Sequence, residues 1–155
     1  MTSDTIADCI QAVWTMIADQ FPLLESLVIN QDNGPECHSR RTQFMNRMTQ
    51  LADETQLTIQ LAYYPPYHSK YNPVERAWGV LENYWHGNLL DTIETVFHFA
   101  QNMTYNGVHP VVHIVQKSYH TGVKLTQKMM NALEKRFERL PGLEKWFVLI
   151  RPLPF

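Results

Sequence analysis

The chain has 155 residues, of which 45% are hydrophobic and 18% are charged, and its formal net charge is −2. This length and balance predict one globular domain over residues 1–155, and the net charge does not by itself indicate a nucleic-acid binder. The acidic first residues lack the basic segment of a signal peptide, and the longest apolar run, 146–150, is too short to cross a bilayer. We therefore expect a cytoplasmic protein with no membrane partner.

The two cysteines give no sign of a metal site or of a disulfide framework. Cys9 and Cys37 lack the close spacing of zinc-binding cysteine pairs. We expect both to be free thiols in a reducing compartment.

The predicted elements of the first half of the chain alternate between helix and strand. Apolar residues recur at helical spacing in two segments, and a short β-branched or alternating run follows each of them. Gly and Pro residues mark the breaks. The predicted elements are a helix over 4–20, a strand over 27–29, a turn over 32–35, a helix from a cap at Ser39 to about Thr55, and a strand over 57–61.

The second half begins with Asn72-Pro73, a pattern typical of a helix start because proline has a fixed φ and lacks an N–H that the first turn leaves unpaired. The predicted elements are a helix over 73–85, a helix with a capping box at Asp91 and Glu94, a strand over 111–115 and a last helix over 130–140. The order of elements favours an α/β layer fold with parallel strands. Two or three strands make a thin sheet, so we expect part of a larger one.

Basic residues are concentrated in the last third of the chain. No Lys or Arg precedes Arg40, whereas from Lys117 onward eight basic residues accompany three acidic ones. A basic segment of this kind can follow a phosphate backbone. Acids and bases at helical spacing equally fit a solvated helix face, so both interpretations stay open.

Two carboxylates follow the two predicted strands of the first half. Asp32 comes at the carboxyl end of the first strand, and Glu75 lies one turn into the helix after the second. Ligands bind at this edge of open α/β sheets, and hard divalent cations prefer carboxylate oxygens. Asp32 also suits a turn, and Glu75 suits a capping box with Asn72, so the spacing alone leaves metal binding and local structure as alternatives.

Longer motifs surround these carboxylates. They are DNGPE (32–36), SRRTQFM (39–45), YYPPYHSKYNPVERAW (63–78), HPVVHIVQKSYHTGVKLT (109–126) and LPGLEKWF (140–147). Together they resemble the catalytic half of DDE-type insertion-sequence transposases, closest to the ISAzo type, over nearly the whole chain from Leu27. A strand-end Asp followed by PPY and NPxE also resembles mariner-like transposases and, in fold, ribonuclease H-like nucleases.

The resemblance implies a catalytic role for the two carboxylates. Asp32 is the second and Glu75 the third member of a DDE triad that holds two Mg²⁺ (or Mn²⁺) ions for DNA strand cleavage and strand transfer. The resemblance places the first Asp upstream on an earlier strand, where it bridges both ions. Asp4, Asp8 and Asp19 do not match its position.

The resemblance also implies the fold and the partners. We expect a single, truncated ribonuclease H-like α/β domain that lacks its first strands, with a core to about residue 105 and a basic, helical C-terminal extension over about 106–155. Without the first Asp, we expect no activity from the chain alone; the alternative is a non-catalytic DNA-binding or interfering remnant. The implied partners are transposon-end and target DNA, with other copies of the chain or a missing N-terminal half, near the nucleoid of a prokaryote.

Several polar side chains near these motifs are candidate DNA contacts, and for each a solvated loop or helix is the alternative. Lysine and arginine reach phosphates, and helix-start amides favour anions. The tyrosines 63, 64 and 67 are candidate base-stacking platforms, with packing of their loop onto the sheet as the alternative. Trp14, Trp78 and Trp85 are expected in the core. The candidate DNA-binding residues are Arg40, Arg41, His68, Lys70, Asn72, Lys117, Lys124 and Lys128.

Overall fold

The structure is a computed structural model that describes residues 1–65, 68 and 71–154. The chain forms two compact units, Met1–Tyr67 with Tyr119–Phe155 and His68–Ser118. The single-domain prediction, with a core to about residue 105, stays a prediction. Within the described residues, no helix is long and apolar enough to span a membrane.

The first unit is a mixed α/β layer. Its sheet has the strand order β1-β2-β4-β3, in which β1 and β2 are parallel while β4 is antiparallel to both of its neighbours. The elements are α1 Ser3–Ile17, a 3₁₀ turn Ala18–Gln20, β1 Ser26–Gln31, α2 Thr42–Thr55, β2 Thr58–Tyr63, α5 Gln127–Glu134, β3 Phe137–Arg139 and β4 Phe147–Ile150. The helices and strands predicted before residue 64 are confirmed within a few residues.

The core lies between α2 and the central strands. Alternation along β2 puts Ile59 and Leu61 on the inner side, both fully buried. Phe44 and Met48, one turn apart on α2, are also fully buried in the same cluster. Because β2 has a hydrogen-bonded neighbour on each side, its backbone groups are paired within the sheet. The sequence pattern therefore anchors α2 above the middle of the sheet.

The beginning of α2 differs from the prediction. Ser39 is not its cap; the helix begins three residues later, and Arg41 at the N-cap position makes no side-chain capping bond. The Ser39 hydroxyl instead donates to the carbonyl of Lys145, 3.1 Å away. The Ser39 hydroxyl, which the local sequence predicted to cap α2, is therefore used in a long-range contact instead.

The C-terminal segment departs from the predicted helical extension. The helix α5 stops at Glu134, and the following residues form β3 and β4. In β4, Val148 and Ile150 are fully buried and pair with β2, so an alternating strand face completes the core. The last helix, predicted over 130–140, is confirmed only as far as Glu134, because from Phe137 onward strand pairing outweighed local helical spacing.

The second unit contains α3 Val74–Trp85 and α4 Ile93–Asn102. The two helices pack through an edge-to-face contact of Tyr84 and Phe99, whose ring centroids are 5.8 Å apart. The hydroxyl of Thr92, rather than Asp91, caps α4 by accepting from the Thr95 N–H. A short hydroxyl fits the N-cap as well as a carboxylate does, and local packing selects between them.

Residues 111–115 do not form the predicted strand. The run is rich in Val and Ile, which fit a pleated surface, but β structure also needs a partner strand. In this segment Val111, Ile114 and Val115 are about half exposed or more. The β-branched composition therefore did not determine the structure here.

Candidate active-site carboxylates

Asp32 follows the last residue of β1 and its side chain is exposed at the carboxyl end of the parallel pair β1 and β2. The following turn passes close to it. A Cβ atom added at Gly34 would lie 3.2 Å from Asp32 Oδ1, closer than nearly all real Cβ contacts. Because Gly34 has no side chain, there is room for the Asp32 carboxylate in this position.

Cys37 contacts the same carboxylate from the inside of the turn. Its thiol donates toward Asp32 Oδ1 and the Asp32 carbonyl, each 3.5 Å from Sγ. Burial, reinforced by the Asp32 charge, raises the pKa of the Cys37 thiol to about 11, so the thiol is protonated and able to donate at neutral pH. Both cysteines are free thiols, as predicted.

Tyr63 supports Cys37 from β2. Its side chain is 5% exposed, and its hydroxyl donates to the Cys37 carbonyl over 2.9 Å. Burial raises the pKa of this phenol, which keeps the hydroxyl protonated as a donor. Of the two alternatives for Tyr63, base stacking and packing onto the sheet, the structure supports packing, because the residue is buried in the core cluster.

Side chains from distant parts of the first unit hold the loop between β1 and α2. The Ser3 hydroxyl at the start of α1 donates to the Glu36 carbonyl over 2.8 Å. The Arg139 guanidinium of β3 donates to the Ser39 carbonyl over 2.9 Å. The loop that carries Asp32 is therefore restrained by α1, β2 and β3.

Glu75 lies in the first turn of α3 in the second unit, and its side chain is exposed. Within the described residues no hydrogen bond joins its carboxylate to Asn72, so the capping box, one of the two alternatives for Glu75, is not formed. Asn72 Oδ1 instead accepts from the Val74 N–H at 3.4 Å. The convergence of Asp32 and Glu75 stays a prediction.

The upstream aspartates have structural partners. Arg47 on α2 pairs with Asp4 at 3.0 Å and with Asp8, and Gln43 also donates to Asp4. These ion pairs join α1 to α2. In the described part of the chain, no group of three or more His, Cys, Asp or Glu side chains is arranged to hold a metal ion.

The candidate DNA contacts differ in their surroundings. Arg40 is exposed, whereas Arg41 pairs with Glu36 at 3.0 Å. Burial, with the charges of Arg41 and Arg40, lowers the pKa of His38, whose Nδ1 accepts from the Arg40 N–H. His68 stacks on Tyr71, with ring centroids 5.9 Å apart. Lys70 and Tyr67 lie outside the described residues, and Lys117, Lys124 and Lys128 are exposed.

Some basic residues of the C-terminal segment form ion pairs. Arg136 pairs with Asp53, Arg139 with Glu134, and Arg151 with Glu138. These three arginines therefore serve contacts within the first unit. Among the predicted phosphate ligands of this segment, the exposed lysines keep that candidate role.

The predicted core position of Trp78 was wrong. Its side chain is 58% exposed, one turn after Glu75 on α3, while Leu81 occupies the buried face of that helix. The helical pattern did not separate these positions because apolar residues lie on more than one side of α3. Trp14, by contrast, packs against the core of the first unit.

Comparison with known proteins decides the family. The family described as Rhodopirellula transposase DDE domain matches residues 1–152. The chain belongs to this transposase DDE family. No curated protein and no solved structure matches this DDE domain significantly. Family membership indicates a function in transposition, interaction with DNA and use of divalent metal ions.

Three residues that surround Asp32 in this DDE domain were not predicted as part of the site. The sequence predicts only a turn at Gly34, a free thiol at Cys37, and either base stacking or packing onto the sheet at Tyr63. The DNG sequence, typical of a tight turn, is the one local pattern that could have indicated Gly34 beside Asp32. No local pattern indicates that Cys37 and Tyr63 meet, because they lie on different elements.

Proposed function

We propose that this chain is a catalytic domain for DNA strand cleavage and strand transfer in the transposition of an insertion sequence, with a ribonuclease H-like core. The single observation that carries the proposal is the position of Asp32, exposed at the carboxyl end of a parallel strand within a matched DDE domain. Ligand sites of open α/β sheets form at that edge. The mixed sheet with parallel β1 and β2 supports the ribonuclease H-like assignment.

Asp32 and Glu75 are the proposed ligands of Mg²⁺ or Mn²⁺. Both are exposed carboxylates, the donor type that these hard ions prefer, and Gly34 leaves the Asp32 carboxylate its space. When bound, a pair of such ions activates the attacking oxygen and stabilises the leaving oxygen of a phosphodiester. In this proposal Asp32 and Glu75 are the two carboxylates that this chain supplies for metal binding.

We further propose that the chain alone does not cleave DNA. Asp4 and Asp8, the carboxylates of α1, form ion pairs with Arg47. They therefore do not add a third metal ligand to Asp32 and Glu75. A two-metal displacement needs both ions held together, and Asp32 and Glu75 are only two of the three carboxylates that the DDE triad implies. The additional carboxylate would come from a partner polypeptide with which this domain assembles.

The second candidate function is a DNA-binding or interfering remnant without catalysis. The exposed positions of lysines 117, 124 and 128 favour it, because surface lysines are the residues that contact a phosphate backbone. We propose these lysines, with Arg40, Arg41, His68, Lys70 and Asn72, as contacts to transposon-end or target DNA. In a prokaryote the DNA-bound protein would be cytoplasmic and associated with the nucleoid.

A melting experiment tests the metal site. With a dissociation constant of about 1 to 10 mM, 10 mM Mn²⁺ stabilises the fold by about 0.4 to 1.4 kcal/mol. We therefore expect a rise of about 1 to 6 °C in Tm. Asp32→Asn and Glu75→Gln should each abolish this rise, because either change removes one of only two carboxylates.

The matched controls are Asp19→Asn and Glu82→Gln, which change exposed carboxylates of the same two units. Asp19 lies in the 3₁₀ turn of the first unit, and Glu82 lies on α3 of the second. They should keep the full Mn²⁺ response. A response that survives in both Asp32→Asn and Glu75→Gln would contradict the proposed site.

A nicking assay tests the proposed inactivity. We expect no cleavage of supercoiled plasmid by the purified chain with Mg²⁺ or Mn²⁺, because each displacement needs two ions held together. The measurement compares wild type with Glu75→Gln on agarose gels. Cleavage by wild type that this substitution abolishes would show that the chain is complete for catalysis, whereas cleavage by both proteins identifies a contaminating nuclease.

A further inference from the structure

The contact of Cys37 with Asp32 is more specific than core filling requires. Cys37 is 7% exposed and belongs to the buried cluster, yet its sulfur lies on the side that faces the Asp32 carboxylate. Cys9, the other thiol, is exposed and supplies an internal comparison. A buried thiol beside an exposed carboxylate is an arrangement that packing alone does not demand.

The backbone of Cys37 is held on both sides of its Cα atom. Its N–H donates to the Gly34 carbonyl over 3.3 Å, and its carbonyl accepts from the Tyr63 hydroxyl over 2.9 Å. Tyr63 is itself buried in β2. The sulfur position therefore follows from the sheet, whereas the exposed Asp32 side chain has few restraints of its own.

The Cys37 contact treats the two carboxylate oxygens of Asp32 differently. The thiol lies 3.5 Å from Oδ1, and Gly34 faces the same oxygen, since a Cβ atom added there would lie 3.2 Å from it. Within the described residues, Oδ2 accepts no hydrogen bond. A hydrogen bond to one oxygen of a carboxylate fixes the plane of the group and leaves the other oxygen as a ligand.

We propose that Cys37 is a positioning residue, whose S–H donates to Asp32 Oδ1 and so presents Oδ2 to a divalent cation. This inference rests on the proposed function, in which Asp32 binds that ion. Tyr63 acts one step further back by fixing the Cys37 carbonyl. Outer-shell partners of this kind orient metal ligands and contribute to metal affinity.

Infrared spectroscopy tests the hydrogen bond without any metal. The S–H stretching band lies in a clear spectral region, and a Cys9→Ser background leaves Cys37 as the only thiol of the chain. We expect Asp32→Ala to move the Cys37 band to higher frequency, because the charged acceptor is lost. An unchanged band would mean that the thiol donates to a backbone carbonyl instead, and would overturn the proposal.

Mn²⁺ titration, followed by water-proton relaxation, tests the positioning role. Cys37→Ala and Cys37→Val both remove the donor, and Val keeps the volume filled. We expect each to weaken Mn²⁺ binding about tenfold, at the low end for outer-shell partners because a thiol is a weak donor. Cys37→Ser can still donate after a small shift and should retain most of the affinity.

Leu57→Ala is the matched control for lost packing. Leu57 is 5% exposed in the same cluster but precedes β2, at the opposite end of the sheet from Asp32. We expect a lower Tm with unchanged Mn²⁺ affinity. If Cys37→Ala and Cys37→Val also bind Mn²⁺ like wild type, Cys37 is only a packing residue and the proposal is wrong.

The Asp32→Ala protein distinguishes a failure of the proposed metal site from a failure of the positioning role of Cys37. If it binds Mn²⁺ as wild type does, the proposed function fails and the positioning role fails with it, whatever the S–H band shows. If Asp32→Ala loses Mn²⁺ binding while both Cys37 variants keep it, the proposed metal site stands and the inference about Cys37 alone is overturned.

Discussion

Phe44→Ala is expected to lower the free energy of unfolding by about 3 to 5 kcal/mol, the range for truncating a buried aromatic side chain. Phe44 is fully buried in the cluster that α2 forms with the sheet. Truncation removes apolar contact area and leaves a cavity that rigid strands on the other side cannot close. Since domains are stable by only about 5 to 15 kcal/mol, this loss is a large share of the total stability.

Urea titration followed by circular dichroism measures this change. Phe21→Ala is the matched control, because Phe21 is 47% exposed between α1 and β1. It should change the free energy of unfolding by no more than about 0.5 kcal/mol. Equal effects of the two truncations would mean that α2 does not carry the core of the first unit.

Arg47→Met is expected to destabilise the protein by about 2 to 3 kcal/mol, below the range for fully buried ion pairs. The Arg47 side chain is 20% exposed, and it pairs with Asp4 and Asp8, which are 19% and 23% exposed. Removal of the guanidinium takes one cationic partner from two partly buried carboxylates and loosens α1 from α2. Hydrogen bonds from Arg47 to both carboxylates hold its pKa above the usual value despite burial.

Thermal melting of Arg47→Met, with a second-site test, measures this effect. Combining it with Asp4→Asn and Asp8→Asn should recover part of the lost stability, because the two carboxylates that lost the guanidinium are then neutral amides. Arg151→Met is the matched control, since Arg151 pairs with Glu138 in an exposed ion pair and should change Tm little. No recovery in the combined variant would show that Arg47 acts through packing of its aliphatic stem.

The sequence by itself determined the elements whose contacts are local. Helical spacing defined α1 and α3, and the apolar run before the DNG turn defined β1 with Asp32 at its end. Asn72-Pro73 located the start of α3 and hence Glu75 in its first turn. These predictions succeeded because helix periodicity and turn chemistry depend on residues within a few positions of each other.

Tertiary structure alone decided the contacts between distant segments. Phe137 pairs with Ile150 in the antiparallel register, so residues 137–139 form a strand where the local pattern indicated a helix. Similarly, the ring of Tyr63 turned inward because the Cys37 carbonyl offered its hydroxyl a buried partner. Strand pairing and burial depend on which distant segments contact a residue in the folded chain, and the local sequence pattern does not identify those segments. For the same reason the DNG turn located Asp32, while only the folded chain placed a thiol against its carboxylate.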